Sequence, residues 1–259
     1  MKTYGLVGKK LQHSFSKDYF QNKFAKQGIN GCQYINIELT DISKLPEIII
    51  HNTEYQGLNI TIPYKETVIP FLDELSTISQ TIGAVNTIII SRKGNMIKLK
   101  GDNTDVTGFQ ESLNNFIPEK ISSALILGTG GASKAVAYVL KKQNISFKFI
   151  SRNPQKGIPY HDVTPHLIGQ SQLIINTTPL GMAPNTAALP AIPYAAITPE
   201  HYLFDLIYNP PETMFLKKGK QQGAHTKNGT EMLLIQAEAS WRLWQESATD
   251  FSSKPGPCG

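Results

Sequence analysis

Two charged side chains and one glycine-rich turn carry the chemistry open to this sequence. Lys65 follows Gly57-Leu58-Asn59-Ile60-Thr61-Ile62-Pro63-Tyr64, at the mouth of an expected strand-to-helix turn. Asp102 sits in Gly101-Asp102-Asn103-Thr104-Asp105, at an expected domain junction. An ammonium beside a carboxylate can stabilise an alkoxide as hydride reaches a ketone, and can hand it a proton. Taken singly, each is ordinary surface charge. What distinguishes them is the company of Ser14, Ser16, Asn59, Thr61 and Asn86 at expected strand ends, with Gln236 on the last helix. These neutral hydroxyls and amides suit a polyhydroxylated or carboxylated ligand. Helix caps and turns also account for any one of them, Ser16 in particular as a cap of the first helix. The six histidines show no metal-ligand spacing, so no metal is expected, and His13 reads as structural.

The glycine-rich turn lies in Ser123–Ala137, SALILGTGGASKAVA. Apolar Ala124–Leu127 read as a buried strand and Ala132–Ala137 as the start of a helix. Between them, Gly128-Thr129-Gly130-Gly131 allows a tight turn and a close ligand approach. Unpaired N–H groups and the positive end of the helix dipole make such a spot a phosphate site. No Gly-Lys-Ser/Thr closes the run, so it is a dinucleotide turn rather than a nucleoside-triphosphate loop. The fit is imperfect, because Ser133 stands where the third glycine or alanine belongs. Some twenty residues on, Ser151-Arg152-Asn153, with Lys156, occupies the place where an NAD-binding unit carries a carboxylate. A guanidinium can hold a 2′-phosphate that a carboxylate would repel, so NADP is the expected cofactor. A plain surface arginine is the alternative.

Positioning these groups takes alternating strands and helices. The first hundred residues predict strands at Tyr4–Val7, Gln33–Ile37, Gly57–Ile62, Val85–Ser91 and Met96–Lys100, the last two joined by a hairpin turn at 92–95. Helices are expected over 16–27, over 42–50 despite Pro46, and over 64–75. Beyond Gly101 the pattern becomes βα units, with further strands at 147–150, 173–175 and 203–207. The last helix, about 230–245, carries Met232, Leu233, Ile235, Ala239 and Leu243 at helical spacing and is expected to return to the first domain. With 259 residues, 40% hydrophobic and 17% charged, the chain suits two modest globular domains. There is no run of eighteen apolar residues and no signal-peptide pattern, so neither a membrane span nor secretion is expected. Two distant cysteines, Cys32 and Cys258, fit a reducing cytoplasm. The net charge of +5 comes from lysine, without aromatic interleaving, which excludes nucleic acid and favours small anionic ligands.

Taken in order, His13-Ser14-Phe15-Ser16, GLNITIPYK (57–65), GAVNT (83–87), GDNTD (101–105), GTGGASKA (128–135), NTTPLGM (176–182), DLIYNPPET (205–213) and NGTEMLLIQA (228–237) resemble the shikimate dehydrogenase family over nearly the whole chain. The resemblance implies an α/β fold: an N-terminal mixed-sheet substrate domain, residues 1–101 with 229–259, and a Rossmann-type parallel-sheet NADP domain, residues 102–228, with a cleft between them. It implies NADPH-dependent, reversible reduction of 3-dehydroshikimate to shikimate, on the route to chorismate and the aromatic amino acids, by a cytoplasmic monomer or homodimer. Lys65 and Asp102 would be catalytic. Ser14 and Ser16 would hold the substrate carboxylate, with Thr61, Asn86, Tyr208 and Gln236 lining the rest of that pocket. The cofactor would lie on Gly128, Gly130, Gly131, Ala132 and Thr177, with Ser151, Arg152, Asn153 and Lys156 at its 2′-phosphate. Gly229 and Met232 would lie near the nicotinamide, and Ile207 would also touch the cofactor. Two departures stand out: Lys17 where the family usually has proline, and Ser-Arg-Asn for Asn-Arg-Thr. A quinate/shikimate dehydrogenase with relaxed cofactor use is the nearest rival, and a non-catalytic paralogue, which should lose Lys65 or Asp102, a distant one.

Overall fold

A computed structural model describes residues 1–11 and 15–250. Ser14, expected at the substrate carboxylate, lies outside the described residues, as do His13 and Cys258. The chain divides into two compact units, Met1–Thr104 together with the chain from Ala237 onward, and Asp105–Gln236. Asn103 and Thr104 belong to the first because they bond back into it, Asn103 Nδ2 to the Ala84 carbonyl and Thr104 N to Asn86 Oδ1.

The first unit runs β1 (Lys2–Gly8), α1 (Phe15–Lys26), β2 (Cys32–Glu38), α2 (Leu45–His51), β3 (Tyr55–Ile60), β4 (Glu74–Leu75), α3 (Thr77–Ile82), β5 (Thr87–Lys93) and β6 (Met96–Asp102). These strands form a mixed sheet in the order β2-β1-β3-β5-β6-β4. β1 is parallel to β2 and β3, whereas β5 is antiparallel to β3 and β6. The β5–β6 hairpin turns on Gly94, at φ 56, a conformation open to glycine without strain. Alternation along the strands fills two faces. Val7, Leu58, Ile60, Ile88 and Ile90 pack with Leu45 and Ile49 of α2. Tyr4, Tyr34 and Ile89 face the other way, against Phe20 and Phe24 of α1 and Trp244.

The sequence pattern misreads one element. Residues 64–75 are turns, a short 3₁₀ segment at Ile69–Phe71, and β4, not a helix. Pro70 lacks a donor for a helix interior, and Asp73 instead donates its N–H to the Leu99 carbonyl and accepts from the Leu99 N–H through its side-chain Oδ2. The 42–50 helix splits into a 3₁₀ turn at Ile42–Lys44 and α2, where Pro46 is tolerated in the first turn.

The second unit contains α4 (Asp105–Asn114), β7 (Ser123–Leu127), α5 (Gly131–Lys142), β8 (Ser146–Ile150), α6 (Pro165–Gly169), β9 (Leu173–Asn176), β10 (Tyr202–Asp205), α7 (Met214–Gln221) and β11 (His225–Lys227). α8 (Thr230–Asp250) starts in this unit and ends in the first. Five parallel strands lie in the order β11-β10-β9-β7-β8. From β7 the chain moves outward to β8 and then returns to the other side of β7 at β9. The carboxyl ends of β7 and β9 therefore flank a topological switch point, where open parallel sheets bind ligands. Among the described residues no helix is long and apolar enough to cross a membrane, and no cluster of potential ligands could hold a metal.

Candidate active site

In the first unit, the two candidate catalytic residues are placed by neighbouring backbone bonds. The Val85 N–H donates to the Lys65 carbonyl at 2.7 Å, and the next N–H, of Asn86, donates to the Asp102 carbonyl at 3.1 Å. Lys65 and Asp102 thus bracket one dipeptide, and both side chains are half-buried. Thr61 sits just past β3, its N–H on the Val7 carbonyl at 2.9 Å, while the preceding Ile60 N–H reaches the Asn86 carbonyl at 2.7 Å. Lys65, Asp102, Thr61 and Asn86 are therefore brought together at one end of the sheet. Asp102 Oδ1 accepts from Ser76 Oγ and from the Asn103 N–H, each at 2.7 Å.

Behind this edge lies a buried polar cluster. The Tyr34 hydroxyl donates to Asn59 Oδ1 at 2.8 Å, and Asn59 Nδ2 donates to Ser240 Oγ at 2.9 Å. Asn86 Nδ2 donates to Thr104 Oγ1, and its Oδ1 accepts from the Thr104 N–H and Thr87 Oγ1. Asn86 is 3% exposed, so its amide is oriented by these partners. Ser16, in the first turn of α1, hydrogen-bonds the Tyr34 hydroxyl, whose pKa burial drives up while Ser16 pulls against it. Lys17 beside it is half-buried.

In the second unit, the glycine turn sits at the switch point. The Gly128 N–H donates to the Ile150 carbonyl at 2.8 Å, and Thr177 donates through N and Oγ1 to the Leu127 carbonyl. Gly128 has φ +108, and a Cβ there would press on Thr177 and Thr178. Gly130 caps α5 with no side-chain bond, and a Cβ on it would meet open space. Gly131 and Ala132 open the helix, leaving its first N–H groups for an anion. Ser133 is 1% exposed, and its hydroxyl donates back to the Gly130 carbonyl at 2.6 Å. A buried serine thus takes the tight-packing position. Past β8, Ser151 is buried and accepts from the Asn153 N–H, whereas Arg152, Asn153 and Lys156 are exposed. No carboxylate stands in 151–156, so the residues present fit a 2′-phosphate. The Arg152 charge is felt by Tyr160, whose pKa burial raises and the guanidinium lowers.

Further along the same edge, the Gly229 N–H donates to the Ile207 carbonyl at 3.0 Å. A Cβ on Gly229 would run into the Leu206 carbonyl oxygen, so only glycine fits. Met232 is buried in the first turns of α8. Tyr208 and Gln236 are half-buried, and Gln236 Nε2 donates to the Leu233 carbonyl at 2.9 Å.

A sequence model of the shikimate dehydrogenase substrate-binding domain matches residues 6–88. A shikimate dehydrogenase (NADP(+)) from Halothermothrix orenii is 37% identical, over 97% of this chain and 93% of its own. The chain belongs to the shikimate dehydrogenase family. Among solved structures, shikimate dehydrogenase 1 from Peptoclostridium difficile superposes with TM-score 0.82 at 38% identity, covering 95% of this chain and 92% of that one. The shikimate 5-dehydrogenase of Thermus thermophilus, in complex with NADP(H) and shikimate, gives TM-score 0.82 at 30% identity, over 95% and 94%.

Sequence reasoning assigned no role to Asp205, Asn176 or Thr213, although they lie in the runs 176–182 and 205–213. Asp205 is fully buried at the end of β10 and accepts from Thr213 Oγ1 at 2.5 Å and from Asn176 Nδ2 and the Ile207 N–H, each at 3.0 Å. Burial pushes its carboxyl up to about 6 against the pull of these donors. The cluster ties the turn after β9 to the turn after β10. The available signal was polar residues closing otherwise apolar strands, at Asn176 and Asp205. Ser76 and Ser240 carried no such signal.

Proposed function

We propose that this chain is an NADP-dependent oxidoreductase that reversibly reduces 3-dehydroshikimate to shikimate, a step toward chorismate and the aromatic amino acids. One observation carries the assignment of roles: Lys65 and Asp102 are anchored on consecutive N–H groups, of Val85 and Asn86, beside a cluster of oriented amides and hydroxyls. The reduced nicotinamide, when bound, supplies the hydride. Lys65 stabilises the developing oxyanion and delivers its proton, turning the ketone into an alcohol. Asp102 accepts a hydrogen bond from the substrate hydroxyl beside Lys65 and holds the ring in register.

By this reading, residues 1–101 with 229–259 take the substrate, through Ser14, Ser16, Thr61, Asn86 and Gln236, with Tyr208 contributed from the turn after β10. Residues 102–228 take the cofactor. Gly128, Gly130, Gly131, Ala132 and Thr177 surround the pyrophosphate, Ser151, Arg152, Asn153 and Lys156 the 2′-phosphate, and Ile207, Gly229 and Met232 the nicotinamide end. The reading carries with it a monomer or homodimer, and a cytoplasmic location that the sparse cysteines and the biosynthetic reaction support. The test is nucleotide reduction followed with shikimate or quinate against NADP or NAD. Shikimate with NADP should be turned over fastest, and a preference for quinate or for NAD would overturn the assignment.

A further inference from the structure

Asp102 is held from one side by an element with no evident reason to be there. Residues 73–76 form an edge segment clasped to β6 along its whole length. Asp73 donates its N–H to the Leu99 carbonyl, and its Oδ2 accepts from the Leu99 N–H at 2.7 Å. Glu74 pairs with Lys98 at 2.6 Å and Lys100 at 3.4 Å. In the parallel β4–β6 register, Glu74 lies opposite Lys100 and Leu75 opposite Gly101, so the next step puts Ser76 opposite Asp102. The Ser76 N–H donates to the Gly101 carbonyl at 2.9 Å, and its hydroxyl donates to Asp102 Oδ1 at 2.7 Å. The same oxygen of Ser76 caps α3 by accepting from the Ser79 N–H at 3.2 Å. That second bond directs the hydroxyl proton away from the helix, since the N–H already occupies one lone pair. The Asn103 N–H also ends on Oδ1, and neither bond reaches Oδ2.

We propose that Ser76 is a positioning residue for the reaction: its hydroxyl saturates Asp102 Oδ1 and so turns Oδ2 toward the substrate. The inference rests on the catalytic reading of Asp102 given above. Without the serine, the carboxylate keeps only the Asn103 bond and can rotate, which weakens its hold on the substrate in the transition state. A hydrogen bond to a charged group is worth about a ten-fold rate effect or more.

The experiment compares steady-state kinetics and thermal unfolding of wild type, Ser76→Ala, Ser76→Gly, Ser76→Thr, Asp102→Asn and the Ser76→Ala/Asp102→Asn double variant. Ser76→Ala and Ser76→Gly should each lose about ten-fold in kcat with shikimate, while KM for NADP stays within about two-fold. Ser76→Thr, which keeps the hydroxyl, should recover most of the loss. Glycine caps helices nearly as well as serine, so Ser76→Gly carries the test even where Ser76→Ala unfolds. On the Asp102→Asn background, Ser76→Ala should cost little more. A Ser76→Gly enzyme with wild-type kcat, or a full additional loss in the double variant, would overturn the inference while leaving Asp102 catalytic. Full turnover by Asp102→Asn would instead remove the premise, and the inference with it.

Discussion

Replacing Arg152 by alanine should change nucleotide choice and leave the chemistry alone. Its guanidinium is exposed two residues past β8, in a compact turn where the Asn153 N–H bonds Ser151 Oγ and the Lys156 N–H bonds the Asn153 carbonyl. That turn does not depend on the arginine side chain, so the fold should survive. A hydrogen bond to an ionised group contributes about 1.5–3 kcal/mol. Exposure to water and salt argues for the lower end, about 1.5 kcal/mol, which is roughly ten-fold in affinity. Initial rates of nucleotide reduction at saturating shikimate should therefore show KM for NADP rising about ten-fold, with kcat and KM for NAD unchanged. Lys156, exposed in the same turn, supplies a second cation, so the Arg152→Ala/Lys156→Ala pair should raise KM for NADP further. An equal rise in KM for NADP and NAD would refute the phosphate role. So would a fall in kcat at saturating NADP.

Lys65→Ala should lower kcat by about a hundred-fold or more while KM for shikimate changes little, and turnover within a few-fold of wild type would remove its role. Gly229→Ala forces a Cβ into the Leu206 carbonyl, so thermal unfolding should fall by roughly 5 °C, and an unchanged midpoint would contradict that packing. Burial raises the Asp205 carboxyl from 3.8 to about 6, so its stabilising contribution is full below pH ~4 and is lost as pH rises through ~6. The gap corresponds to about 3 kcal/mol. In denaturant unfolding, Asp205→Asn should therefore gain on wild type by about that amount between pH 4 and 7, and a difference that stays flat with pH would refute it.

The glycine turn, Lys65 and Asp102 are legible in the sequence because each lies in a short run whose residue types already state a local geometry. The parallel second sheet is legible for the same reason, its strands being apolar runs that end in polar residues. Three failures have one physical origin. The stretch 64–75 has enough apolar residues for a helix, but Asp73 finds its partner in Leu99, a pairing that periodicity cannot see. Ser76 carries no signal in the sequence, and only the β4–β6 register brings it to Asp102, 26 positions along the chain. The three-residue β11 gives no periodic signal, because its place is set by pairing with β10. Long-range pairing decides what local pattern leaves open.

The cluster of Tyr34, Asn59, Asn86, Thr87, Thr104 and Ser240 has a consequence for how this protein can change over generations. Each member satisfies another, so a lone substitution strands a polar atom in a place water does not reach. Drift at these positions is favoured through compensated pairs, and libraries that vary one of them at a time will return mostly destabilised clones. An attempt to reshape the end of the first sheet that carries Lys65 and Asp102 would do better to leave Asn86 alone and work outward from Thr61, whose side chain is not enclosed.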